Sequence, residues 1–144
     1  MSADDDPVTV LSEDESWSLL TSVSLGRLVT NLRGQPEIFP VNFVTQRRTV
    51  LFRTAHGTKL YGAVMSDRVV FEADDHTVAE GWSVIIKGTA HVLSATADIL
   101  DAQEAPLLPW PATLKPLYLR VIAIEITGRR FEFGPEPDRE STFT

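Results

Sequence analysis

The sequence predicts a mainly β protein, an antiparallel β-barrel carrying short helices. Three observations predict it. About seven runs rich in β-branched and aromatic residues follow one another along the chain. They are regularly spaced and joined by hairpin-type turns, a pattern of barrels more than of α/β layers. The chain has 144 residues with 43% hydrophobic content and no internal repeat, enough for one domain with a substantial core.

The elements follow in order. Met1 to Val10 is acidic and without periodicity, and reads as a flexible tail, leaving 11–134 as the single domain. Ser12-Glu13-Asp14-Glu15 is a capping box, S-x-x-E, whose acids also suit the positive end of a helix. Trp17, Leu20 and Val23 then share one face at helical spacing, so a helix of about ten residues is expected to cover one end of the sheet. Strands are expected at Gly26–Leu32, Glu37–Gln46 and Thr49–Thr54, joined by turns at Arg33-Gly34 and Arg47-Arg48. A short helix is expected at Gly57–Met65, then strands at Asp67–Asp74 and Trp82–Leu93, the second bent or bulged at Gly88. Thr96–Glu104 reads as a helix with Thr96 as its N-cap. The four prolines of Pro106–Pro116 make a loop. Leu117–Thr127 is apolar on both faces, so it is expected to be buried on both sides, and Gly128–Phe133 is expected to turn back against it. Residues 135–144 read as a frayed tail.

Composition narrows the function. A net charge of −7 argues against nucleic acid or an anionic membrane surface as the partner, because phosphates need a basic face. The absence of cysteine excludes disulfides, thiolate catalysis and cysteine-ligated metals. The acidic start, MSADDD, is unlike a secretory signal, and no apolar run approaches a membrane span, which leads to the expectation of a cytoplasmic protein. His56, His76 and His91 are scattered, without zinc-like spacing, and no nucleophile–base pair is evident. Glu72, Asp74 and Asp75 read as solvated carboxylates.

Two stretches carry chemistry. In Thr49–Gly62, TVLFRTAHGTKLYG, a strand runs into a turn and a helix start. Arg53, Thr54, Gly57, Thr58 and Lys59 there combine freed backbone N–H groups, close approach at glycine and two cations, a set suited to an anion and most naturally to a phosphate. The spacing is not that of a Walker A loop. In the preceding strand, Pro40-Val41-Asn42 places a proline mid-strand, which requires an edge or a bulge and leaves backbone groups unused by a ladder. Those groups and the Asn42 amide suit the polar edge of a flat heterocycle. One hairpin joins the two stretches, so a ring and a phosphate would be neighbours, as in a nucleotide-like cofactor.

The chain resembles the pyridoxamine 5′-phosphate oxidase-like flavin-binding split barrels, in its small nitroimidazole-reductase-like branch. LGRLVTNLRGQPEIFPVNFV, VLFRTAHGTKL, SDRVVFEAD, WSVIIKGTAHVL and EITGRRFEF carry the resemblance by their order and spacing. It implies a six-stranded antiparallel split barrel, a homodimer with FMN at the interface, and a flavin-dependent oxidoreductase acting on a small molecule. By the same resemblance Pro40, Val41 and Asn42 meet the isoalloxazine ring. Arg53, Thr54 and Lys59, with Gly57 and Thr58, meet the phosphate. Trp82 and Ser83 lie near the ring, with Ser83 where the oxidases proper have a glutamine, and Trp110 reaches toward the partner's flavin. The ending GRRFEFGPEPDRESTFT lacks the oxidases' substrate motif, which implies a substrate other than vitamin B6. A deazaflavin, with Arg27, Arg33, Arg47 and Arg48 extending a basic groove for its tail, is the alternative cofactor; a non-catalytic flavin carrier or sensor is the alternative role.

Overall fold

The computed structural model of the chain describes residues 6–54, 68–107 and 117–134. Seven strands and two helices are formed there: β1 (Val8–Leu11), α1 (Glu13–Leu20), β2 (Leu25–Leu32), β3 (Gln35–Gln46), β4 (Thr49–Thr54), β5 (Arg68–His76), β6 (Glu80–Val92), α2 (Thr96–Gln103) and β7 (Leu117–Glu132). All pairings are antiparallel, in the order β1-β7-β4-β3-β2-β5-β6, and β6 pairs again with β7. That last pairing closes β2–β7 into a six-stranded barrel. Closure removes two sheet edges that would otherwise expose unpaired backbone. The expected helix at Gly57–Met65 and the 135–144 tail lie outside the described residues.

Alternation along the strands builds the core. Leu28, Val41, Phe43, Val50, Phe52, Val69, Phe71, Val84, Ile86, Leu119 and Val121 point inward and are buried. Phe43 and Phe71 meet edge to face with ring centroids 4.8 Å apart. Helix α1 plugs one end with Trp17 and Leu20, as its spacing predicts. Its capping box is formed: Ser12 Oγ accepts from the Glu15 N–H and Glu15 Oε1 accepts from the Ser12 N–H, both at 3.1 Å. Both two-residue hairpin loops use left-handed backbone, at Arg33-Gly34 and at Arg47-Arg48.

Four expectations are corrected. The acidic start is not a tail throughout, because Val8–Leu11 forms β1 against Gly128–Phe131 of β7. Helix α2 is capped by Ala95, one residue before Thr96, and no side chain bonds its start. No turn exists at Gly128: Leu117–Glu132 is one strand, paired with β6 along its length. Gly128 serves a tertiary contact instead, since a Cβ there would lie 2.3 Å from Ser16 Oγ. Nor is β7 buried on both faces: Leu119 and Val121 are fully buried, but Ile122 is 45% and Ile124 60% exposed.

The predicted irregularity at Gly88 is present. Lys87 pairs with Glu125 and Gly88 with Ala123, so Ile124 is the extra residue of a bulge on β7. A Cβ on Gly88 would lie 2.0 Å from the Ile122 carbonyl oxygen, so the two backbones meet where only glycine fits.

Candidate functional site

The barrel is split between β3 and β4. Their ladder runs from Gln46↔Thr49 to Phe43↔Phe52 and stops. Beyond it, among the described residues, Gln35–Asn42 of β3 pairs with β2, while Arg53 and Thr54 of β4 pair with Tyr118 and Leu117 of β7. The prolines show why this edge is tolerated. Phe43 N–H donates to the Ser24 carbonyl at 2.9 Å, so odd-numbered β3 residues turn their backbone groups to β2. The even-numbered residues turn theirs to the open side, Pro36, Ile38, Pro40 and Asn42 among them. A missing N–H at Pro36 or Pro40 therefore costs no ladder bond, as the sequence requires of a mid-strand proline.

The same parity sorts the expected ring contacts. Pro40 is exposed and Asn42 half-buried, both on the outer face. Val41 points into the core and is 4% exposed. Only the backbone groups at 40 and 42 address the split.

Arg53 follows buried Phe52 and is half-buried on the outer side. One of its terminal nitrogens donates to the Leu107 carbonyl at a long 3.5 Å, and no carboxylate among the described residues pairs with it. Thr54 is buried. Gly57, Thr58, Lys59 and Trp110 lie outside the described residues. The structure therefore brings Pro40, Asn42 and Arg53 to the two lips of one split.

Trp82 and Ser83 sit on β6, three strands from β3 and two from β4 around the ring. Trp82 packs against the core. Ser83 faces outward, and its hydroxyl donates to Glu72 Oε2 at 3.1 Å. Arg27 Nη1 donates to Glu72 Oε1 at 2.7 Å and to Asp74 Oδ2 at 3.2 Å. Arg27 is the register partner of Pro40, so this network runs from the split strand across β2, β5 and β6. Burial pushes the Glu72 carboxyl above its usual range, reinforced by Asp74, and outweighs the opposing pull of Ser83 and Arg27.

Three of the four arginines proposed to extend a basic groove are engaged elsewhere, and Arg33 stands in the β2–β3 hairpin turn. Arg27 holds Glu72 and Asp74, Arg47 holds Asp101 and Arg48 holds Asp14. Sequence reading does not single out Arg120, a lone cation in the apolar run LYLRVIAIEI, which is the signal that could have found it. It donates to Thr49 Oγ1 at 2.7 Å and to Gln46 Oε1 at 3.1 Å.

Comparison with known proteins bears on this geometry. The family model described as pyridoxamine 5′-phosphate oxidase matches residues 12–130. The chain belongs to that family. The family match spans the whole ring of strands and the split between β3 and β4. The FAD-binding protein of Mycobacterium smegmatis is 53% identical, superposes with a TM-score of 0.79, and is matched over 87% of this chain and 99% of its own. A Corynebacterium glutamicum protein provisionally named a pyridoxamine 5′-phosphate oxidase is 41% identical with a TM-score of 0.85, over 92% of this chain and 98% of its own. An uncharacterized Mycobacterium tuberculosis protein is 62% identical over 100 residues, 69% of this chain and 91% of its own length. The family's split barrel is the fold expected from the sequence. No helix among the described residues is long and apolar enough to cross a membrane.

Proposed function

We propose that this member of the family binds a flavin at the split between β3 and β4 and works as a flavin-dependent oxidoreductase on a small molecule other than vitamin B6. The observation that carries the reading is the split itself. It presents the outward backbone groups of Pro40 and Asn42 on one lip and, on the other, the Arg53 guanidinium, which no carboxylate among the described residues pairs with. A flat ring with polar edges suits the first and a phosphate suits the second. The M. smegmatis relative named as an FAD-binding protein supports a flavin. FMN is the cofactor proposed; FAD carries the same ring and first phosphate.

When bound, the flavin supplies the hydride chemistry, and the chain's own residues hold and orient it. This agrees with the lack of an evident acid–base pair in the sequence. A deazaflavin is less well served, because Arg27, Arg47 and Arg48 are already held by carboxylates. The reading also includes a homodimer that covers the cofactor. Ile85, Ile122 and Ile124 are exposed apolar side chains on β6 and β7, of the kind a second copy could bury.

The test is a titration of the purified full chain with FMN, FAD and a deazaflavin, followed by flavin fluorescence and by co-elution in gel filtration. FMN is expected to bind saturably. Arg53→Ala is expected to weaken it at least tenfold, the scale of one charge-assisted hydrogen bond of ~1.5–3 kcal/mol. Failure of both flavins to bind, or full affinity in Arg53→Ala, would overturn the site assignment. Oxidation of NADH or NADPH by the loaded protein, with transfer to an acceptor, separates an oxidoreductase from a carrier.

A further inference from the structure

We propose a second ligand site on this chain, an oxyanion site centred on Arg120, for a phosphate or carboxylate group of a small molecule. Arg120 stands on β7 and opens into a hollow of about 430 Å³ also lined by Arg47, Thr49, His91, Ser94, Asp98 and Ile122. Three features of Arg120 point to an anion. It is half-buried. Its hydrogen-bond acceptors among the described residues are neutral oxygens, Thr49 Oγ1 and Gln46 Oε1, which fix the planar guanidinium, while the Asp101 carboxylate that feels its charge is itself hydrogen-bonded by Arg47. A guanidinium has five N–H donors, so donors remain for a ligand.

The surroundings supply further polar groups. Arg120 is the register partner of His91 on β6, and His91 lines the same hollow with its Nε2 2.8 Å from Thr89 Oγ1. Arg47 adds a second guanidinium, although Asp101 holds it. Asp98 lines the wall as well, so two carboxylates, Asp98 and Asp101, stand near the two arginines. Ser94 contributes a hydroxyl beside the start of α2, where no side chain caps the helix. The hollow shares no lining residue with Pro40, Asn42 or Arg53, so the inference stands whether or not a flavin occupies the split.

The experiment is a titration of the isotope-labelled full chain with inorganic phosphate, read by nuclear magnetic resonance at the arginine Nε–H groups and backbone amides. Saturable shifts are expected at Arg120, His91 and Ser94. Arg120→Gln is expected to weaken phosphate at least tenfold, and His91→Ala, a change at an exposed residue, severalfold. Arg33→Gln, in a distant hairpin turn, should leave the affinity unchanged. Two further titrations identify the source of the anion. If Arg120→Gln weakens FAD and not FMN, the group is the cofactor's second phosphate. If both flavins keep their affinity while phosphate is lost, the site serves a separate small-molecule anion. Shifts that do not saturate, or that saturate equally in Arg120→Gln and His91→Ala, overturn the site.

Discussion

The two seams of the barrel behave in opposite ways. β6 and β7 are paired from Glu80↔Glu132 to Val92↔Leu119, interrupted by one bulge, and their backbones touch at Gly88. β3 and β4 pair over Phe43–Gln46 and then part, leaving Gln35–Asn42 with β2 as its one paired strand among the described residues. The sealed seam uses its backbone hydrogen bonds for closure. The open seam leaves polar backbone groups turned to the surface, where a ligand can use them. On the proposed function, stability and flavin binding fall to different strand pairs of one ring.

The sharpest way to break this comparison is Gly88→Ala. The added methyl would lie against the Ile122 backbone, which cannot rotate away as a side chain does. The expected cost is about 3 kcal/mol, the upper part of the range for overpacking. Urea denaturation of the variant measures it. A cost below about 1 kcal/mol would mean that the seam opens easily, and that the contrast with β3–β4 is one of degree.

Much of this contrast is legible in the sequence, because it is written in local chemistry. Pro40 lacks a donor, so the strand that holds it must be an edge or bulged there. Gly88, inside a long β-branched run, marks the bulge. Ser12 and Glu15 cap α1 within a single turn. What the sequence hides is set by distant partners. Val8–Leu11 is a strand only because Gly128–Phe131 lies beside it. Gly128 looks like a turn residue, yet its reason is Ser16, more than a hundred positions away. Within the site, the sequence points to Pro40–Asn42 as a block, and only the register shows that Val41 turns inward between its neighbours. Arg120 needs Thr49 and Gln46 beside it before it reads as anything but a strand residue.

A middle-sized effect tests the sheet between the seams. Glu72 lies on β5 beside Arg27, and its folded pKa is raised, first by burial. Between the unfolded and folded values the native state holds more protons than the unfolded one, so stability falls as pH rises through that window from the ordinary carboxylate range upward. Glu15 and Asp101 act the other way. Their pKa values are lowered, by the Ser12 backbone N–H and by Arg47 respectively, and their contribution is lost as pH falls. Comparing the chain with Glu72→Gln cancels those groups. Denaturation midpoints across a pH series should show the variant gaining on the parent as pH rises. A difference that shrinks with rising pH would mean that the Arg27 ion pair, and not burial, governs Glu72.

The smallest expected effect is the most telling about the split. Pro40→Ala restores a backbone N–H on β3. If that N–H faced β2 it would complete a ladder bond and stabilise the fold. The register instead directs it to the open side, where water satisfies it equally well in the folded and unfolded chain. Pro40 is also exposed, so little packing is lost. Stability should therefore change by no more than about 0.5 kcal/mol, as for other surface substitutions. The same substitution alters the lip of the split, so flavin affinity should change while the urea midpoint does not. A clear gain in stability would place a ladder partner on that edge and close the split from which the binding reading begins.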